Sequence, residues 1–207
     1  MDIARIFEES DELAEALLSV IDLPLLGDSP RIRISDVACS LSLEHWHSIR
    51  ALLGGGFLPS ALVVHRAQFE AVVRSIWLTY AASDENISKL IATLNLESEQ
   101  AAKNMPQVLD MIEDIAKKAP PQAHAAIARF KDNSWKALNS YAHAGIHPLR
   151  RHQDGYPFAL LNSALCNANG LAVFSCMQAV VLSGEQPLQR TLLALAAKHP
   201  ACIPPPL

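Results

Sequence analysis

Between Gly155 and Gly184 no residue carries a formal charge. A stretch of that length is either a bilayer span or the centre of a helical bundle, because both bury a helix on all sides. Its polar content decides between them. Asn162, Ser163, Asn167, Asn169 and Gln178 lie inside it, and each amide left unpaired in hydrocarbon would be costly. The segment therefore reads as a buried central helix over about residues 158–182, and no membrane partner is expected.

The rest of the chain follows the same logic. Apolar residues recur at three and four, almost never at two, so helices dominate. The pattern predicts helices over about 2–20, 30–53, 59–82, 87–103, 106–118, 121–142 and 186–198. Pro30 suits a first turn, where its missing N–H costs nothing, and "GGGFLPS" stops one long helix and opens the next. "RRHQDGYP" reads as a polar loop and "PACIPPPL" as a non-helical end. The expected architecture is all-α: a single helical bundle over residues 1–200 with a Pro-rich tail at 201–207. Two long antiparallel helices around Gly54–Gly56 should form its spine.

Half of the 207 residues are hydrophobic and 18% are charged, which suits a packed core. The net charge of −4 gives no global reason to expect nucleic acid, but its distribution is uneven. Arg129, Lys131, Lys136, Arg150 and Arg151 face a single acid, Asp132, between residues 129 and 152, whereas the first 22 residues hold seven acids and only Arg5. A local basic surface on an acidic body fits an anionic ligand held at one place, and equally a solvated face beside a loop. Cys39, Cys166, Cys176 and Cys202 are scattered, so they read as reduced thiols of a cytoplasmic protein. No metal and no cofactor are expected. His45 and His47 splay apart on a helix, His143 and His147 are separated by Gly145, and "LLGGGF" lacks the context of a phosphate loop.

Within the strongly apolar "ALVVHRAQFEAVVRSIWLTYAA", Arg66, Glu70, Arg74 and Trp77 share one helix face. Glu70 can satisfy both arginines in an ion-pair network that fixes helix register. Alternatively it orients one arginine while the other meets an anion, for which the planar guanidinium fork is suited. "NSYAHAGIHPL", residues 139–149, gathers Asn139, Ser140, Tyr141 and His143 at a helix end that Gly145 and Pro148 should terminate. The His143 imidazole there either caps the last carbonyls or serves as an acid–base group.

The Asn139-x-x-x-His143 spacing, the Arg66/Glu70/Arg74/Trp77 face and the helical layout resemble HEPN-like domains (higher eukaryotes and prokaryotes nucleotide-binding). These all-α bundles occur in many prokaryotic toxins and abortive-infection proteins. The resemblance spans about residues 30–182. It implies a metal-independent endoribonuclease, in which RNA is cut by attack of its own 2′-hydroxyl on the adjacent phosphorus. His143 would then move protons, Asn139 would orient the imidazole or the phosphate, and an arginine would stabilise the transition state. The family's motif arginine precedes the polar residue, where this chain has Leu138; Arg66 or Arg74 would have to supply it in space. Tyr141 and Trp135 would stack on an unpaired base, with Lys136, Arg150, Arg151, Glu70 and Trp77 as binding residues. The resemblance further implies a homodimer, an RNA target and an antitoxin or regulatory partner. The competing expectation is a non-catalytic HEPN-like module that binds a nucleotide or a partner, with His143 and the third-helix stripe purely structural.

Overall fold

The computed structural model describes residues 3–204. Among them lie ten helices and no strand: α1 (Ile3–Ile21), α2 (Pro30–Gly54), α3 (Leu58–Tyr80), α4 (Asp84–Ile91), α5 (Leu96–Ala102), α6 (Val108–Lys118), α7 (Pro121–Ala142), α8 (Ile146–Asp154), α9 (Phe158–Leu182) and α10 (Leu188–Ala196). The fold is all-α, as the spacing of apolar residues implies.

Local chemistry sets most boundaries. Ser29 Oγ accepts the Ile32 N–H at 3.2 Å and Pro30 occupies the first turn of α2. Gly55 caps that helix, and Gly56 then reverses the chain at φ 81°, a left-handed conformation that a side chain would strain. Helix α2 packs along α3, with Ser42 Oγ donating to the Gln68 carbonyl at 3.0 Å and Ser75 Oγ to the Ser35 carbonyl at 2.8 Å. Arg31, near the start of α2, donates to the Leu78 and Ala82 carbonyls at 2.7 and 2.9 Å. It thereby satisfies acceptors that the end of α3 leaves open.

Helix α9 is long and apolar enough to cross a membrane, but 67% of its most apolar window is buried inside the fold. It packs against α1, α2, α3 and α10. Its amides explain why burial is tolerated. The Asn169 carboxamide accepts from Trp46 Nε1 at 2.8 Å and donates to the Cys202 carbonyl at 2.7 Å, with Ser10 Oγ also bonded to it. Gln178 Nε2 donates to Thr79 Oγ1 at 2.8 Å. Each polar group thus exchanges water for a protein partner. The four cysteines are unbridged and buried.

Three expectations are corrected. The helix expected over 87–103 is two, because Asn95 starts a new one: its Oδ1 accepts the Ser98 N–H while Ser98 Oγ accepts the Asn95 N–H, both at 2.9 Å. "RRHQDGYP" is not a loop through most of its length, since α8 reaches Asp154 and ends at Gly155, φ 92°. Pro148 sits in the first turn of α8, a position proline tolerates, so it opens a helix rather than closing one. The Pro-rich end is non-helical over its described part and is packed against the bundle. Cys202 is fully buried and Pro204 lies against Gly170, where an added Cβ would come within 2.9 Å of the proline ring. Residues 205–207 of the expected tail lie outside the described residues.

Candidate functional site

Two ladders of side chains meet where α3 packs on α7. Arg66, Glu70 and Arg74 recur at every fourth residue of α3, and Trp135, Asn139 and His143 do the same on α7. That interval keeps each set on one helix face. The ladders interlock through Arg66. Its Nε donates to Glu70 Oε1 at 2.8 Å, its Nη1 lies 3.1 Å from His143 Nε2, and its guanidinium carbon sits 5.1 Å above the Trp135 ring centroid. Arginine has only donors, so in this contact His143 Nε2 is the acceptor.

The end of α7 is built to aim that ring. His143 is the residue that caps α7, and Ala144 follows at φ 49°. Gly145 then donates to the Ser140 carbonyl at 2.7 Å. A Cβ on Gly145 would lie 2.6 Å from Ser140 Oγ, so the tight return requires glycine there. Ser140 Oγ in turn accepts the His147 N–H at 3.1 Å and fastens the first turn of α8. The polar cluster in "NSYAHAGIHPL" therefore divides its work: Ser140 joins two helices, His143 reaches Arg66, and Asn139 faces a cavity.

That cavity, about 570 Å³, is lined by Arg66, Glu70 and Arg74 of α3, by Trp135 and Asn139 of α7, and by the α5–α6 connection. Arg66, Glu70, Arg74, Trp135 and Asn139 form one side; Lys103, Met105 and Met111 are among those forming the other. Two polar groups of its lining residues lack a protein partner, and one of them is shut off from solvent. Asn139 Oδ1 is buried without a hydrogen bond. Among the described residues none forms an ion pair or hydrogen bond with the Arg74 guanidinium, because Glu70 pairs with Arg66 instead. Glu70 neutralises Arg66, so Arg74 and Lys103 leave the cavity net positive.

The sequence that carries this arrangement identifies a family. The chain belongs to DUF6988, a family of unknown function. The family's sequence pattern matches residues 39–205, so the DUF6988 span holds both ladders and all of the cavity lining. No curated protein and no solved structure matches the chain.

Within the DUF6988 span, the structure brings together Arg66, Glu70, Arg74, Asn139 and His143 and parts them from the other expected site residues. Trp77 is 1% exposed in the core, its indole N–H donating to Asp114 Oδ2 at 3.3 Å. Its place on the α3 face is thus a packing position, not a ligand contact. Tyr141 is 7% exposed and cannot stack on a base; burial and the neighbouring Tyr156 push its hydroxyl pKa up. Trp135 is also unavailable for stacking, because Arg66 covers its ring and Phe69 packs 5.8 Å away. Lys136, Arg150 and Arg151 are exposed and absent from the cavity wall, and Arg150 pairs with Asp154 at 3.1 Å. Leu138, at the motif arginine's position, is 2% exposed in the core. Lys103 and Met105 carried no sequence signal, because nothing local shows that the α5–α6 connection folds over α3. Trp135 carried one: it lies four residues before Asn139.

Proposed function

We propose that this protein is a HEPN-like metal-independent endoribonuclease, working as a homodimer against RNA in the cytoplasm, in the manner of toxin or defence factors held in check by a partner. The observation that carries the reading is the 3.1 Å contact between Arg66 Nη1 and His143 Nε2. Arg66 is 77 residues away in sequence and stands in space for the arginine that Leu138 replaces. The hydrogen bonds between α2 and α3 add support. Ser35 meets Ser75, Ser42 meets Gln68 and Arg31 meets Leu78, so one partner's number falls as the other's rises. That order supports the reading of two long antiparallel helices expected of such a bundle.

Arg66 is oriented by Glu70 and Trp135, so its remaining guanidinium edge is preorganised for a phosphate oxygen. When that phosphate draws Arg66 away, His143 Nε2 is free to take the proton from the 2′-hydroxyl. The 2′-oxygen bonds to phosphorus, the P–O5′ bond breaks, and the 5′-oxygen takes a proton from the imidazolium form of His143 of a second copy. The products are a 2′,3′-cyclic phosphate and a 5′-hydroxyl.

A second reading rests on the same arginine. Glu70, His143 and Trp135 hold Arg66 on three sides, which also suits a closed structural clasp in a non-catalytic interaction or nucleotide-binding module. RNA incubated with purified protein in chelator separates the two. Cyclic-phosphate ends that disappear in His143→Ala and Arg66→Ala, at unchanged melting temperature, are the expected result. Intact RNA at stoichiometric protein sinks the nuclease reading and leaves the clasp.

A further inference from the structure

The cavity between α3, α7 and the α5–α6 connection contains chemistry that the His143–Arg66 pair does not use. At about 570 Å³ it falls among the sizes of small-molecule sites. Two cations reach it from different elements, Arg74 from α3 and Lys103 from the end of α5. Neither has a hydrogen bond or ion pair among the described residues. Apolar groups come from three further places: Leu90 near the end of α4, Met105 in the α5–α6 connection, and Val108 and Leu109 in the first turn of α6. All four keep part of their surface exposed, Leu109 as much as 45% of it. They are therefore available to a ligand, unlike Asn139 Oδ1, which is shut off from solvent.

Three kinds of ligand meet only part of this composition. An inorganic anion pairs with the cations and leaves the leucines and Met105 in water. A neutral apolar molecule covers those side chains but takes water from Arg74 without replacing its bonds. A phosphorylated, hydroxyl-rich molecule places polar groups against Leu90, Met105 and Val108, and its double charge meets the Glu70 carboxylate in the same wall. What satisfies both surfaces is a singly charged anion on an apolar body. A carboxylate meets the planar guanidinium of Arg74 with two parallel N–H bonds. An alkyl chain meets the leucines, and the flexible thioether of Met105 adapts to its path.

We propose that this cavity binds a medium-chain aliphatic carboxylate, with the carboxylate on Arg74 and Lys103 and the chain along Leu90, Met105, Val108 and Leu109. The assignment is independent of the endoribonuclease reading, because His143 is not part of the lining. Binding and cleavage can therefore fail separately.

Isothermal titration calorimetry of the full chain with acetate, butyrate, hexanoate, octanoate, 1-octanol and AMP tests the assignment. Each added methylene is expected to tighten binding about twofold, less than full burial would give, because the apolar side chains are only partly enclosed. Octanoate should then bind at least tenfold more tightly than acetate, and at least tenfold more tightly than uncharged 1-octanol. Arg74→Gln removes the charge-assisted pair and should weaken octanoate about tenfold or more. Leu109→Ser, at an exposed position, should reduce the dependence on chain length and leave acetate unchanged. Melting temperatures of both variants establish that they fold. Octanoate that binds no better than acetate overturns the proposal, as does the absence of saturable octanoate binding. So does 1-octanol that binds as well as octanoate, or AMP that binds more tightly. Octanoate binding that survives both variants unchanged overturns the location.

Discussion

Asn169 and Asn139 are the same residue on two helices, and the fold treats them in opposite ways. Asn169 sits where α1, α2, α9 and the C-terminal segment converge, and its amide is bonded to Trp46, Ser10 and the Cys202 carbonyl. Asn139 sits where α3 meets α7, and its Oδ1 is buried with no partner. The neighbourhoods match the residues. Around Asn169 the polar groups close on one another. Around Asn139, Glu70 can serve only one of two arginines well, and Arg74 is left over. A buried polar group that is satisfied holds structure together, whereas one left open lowers stability. The contrast sets an open α3–α7 seam against the closed α9 junction that frames the molecule.

The largest test of that contrast is Asn169→Leu. It keeps the branching of the side chain but strands the Trp46 N–H and the Cys202 carbonyl, and should cost about 4 kcal/mol of unfolding free energy in urea titration. A cost below about 1 kcal/mol would show that water replaces the amide and that the junction is not a frame. Next comes pH. His65, on the core side of α3, is 2% exposed; its Nδ1 bonds Gln68 at 2.9 Å and its Nε2 has no partner. Burial lowers its pKa from 6.5 to about 4, the Gln68 bond opposing that shift. Between those values the unfolded chain holds a proton that the folded chain refuses. Stability is therefore full above about 6.5 and declines as pH falls to about 4. The loss is about 3 kcal/mol. His65→Gln should flatten that part of the pH profile; an unchanged slope would assign it to other groups. The smallest effect carries the opposite sign. Asn139→Leu removes an unsatisfied oxygen, so it should leave stability unchanged or raise it by about 1 kcal/mol, and Arg74→Gln should stay within about 0.5 kcal/mol. A large loss in either would reveal a structural partner and erase the difference between the two asparagines.

Much of this frame is legible in the sequence. The uncharged run of residues 155–184 and the Ser29-Pro30 and Gly54–Gly56 signals place α2, α3 and α9 to within a residue or two, because burial on several sides and strong turn chemistry leave few alternatives. The weakly buried elements are less legible. Helix α8 buries no residue, so no apolar stripe announces it, and its capping from Ser140 depends on the chain's path. The break between α4 and α5 is written in Asn95 and Ser98, but faintly against a continuous amphipathic pattern. The site is half legible. Each ladder is visible as a four-residue interval, while the meeting of Arg66 with His143 is a property of helix packing that no local pattern encodes. Trp77 and Tyr141 mislead for a related reason: aromatic residues with polar handles look the same whether the handle meets a ligand or a core partner, here Asp114 for Trp77.

The junction at Asn169 also bears on how the chain is made. Ser10 and Cys202, near the two ends of the chain, meet at one amide. During synthesis that amide waits, because the last of its partners leaves the ribosome only with the C-terminal segment. The α3–α7 seam draws on residues 66–143 and is complete in the emerging chain well before then. Translation thus delivers the Arg66–His143 pair first and its frame last, and for that interval α1 lacks its partner α10.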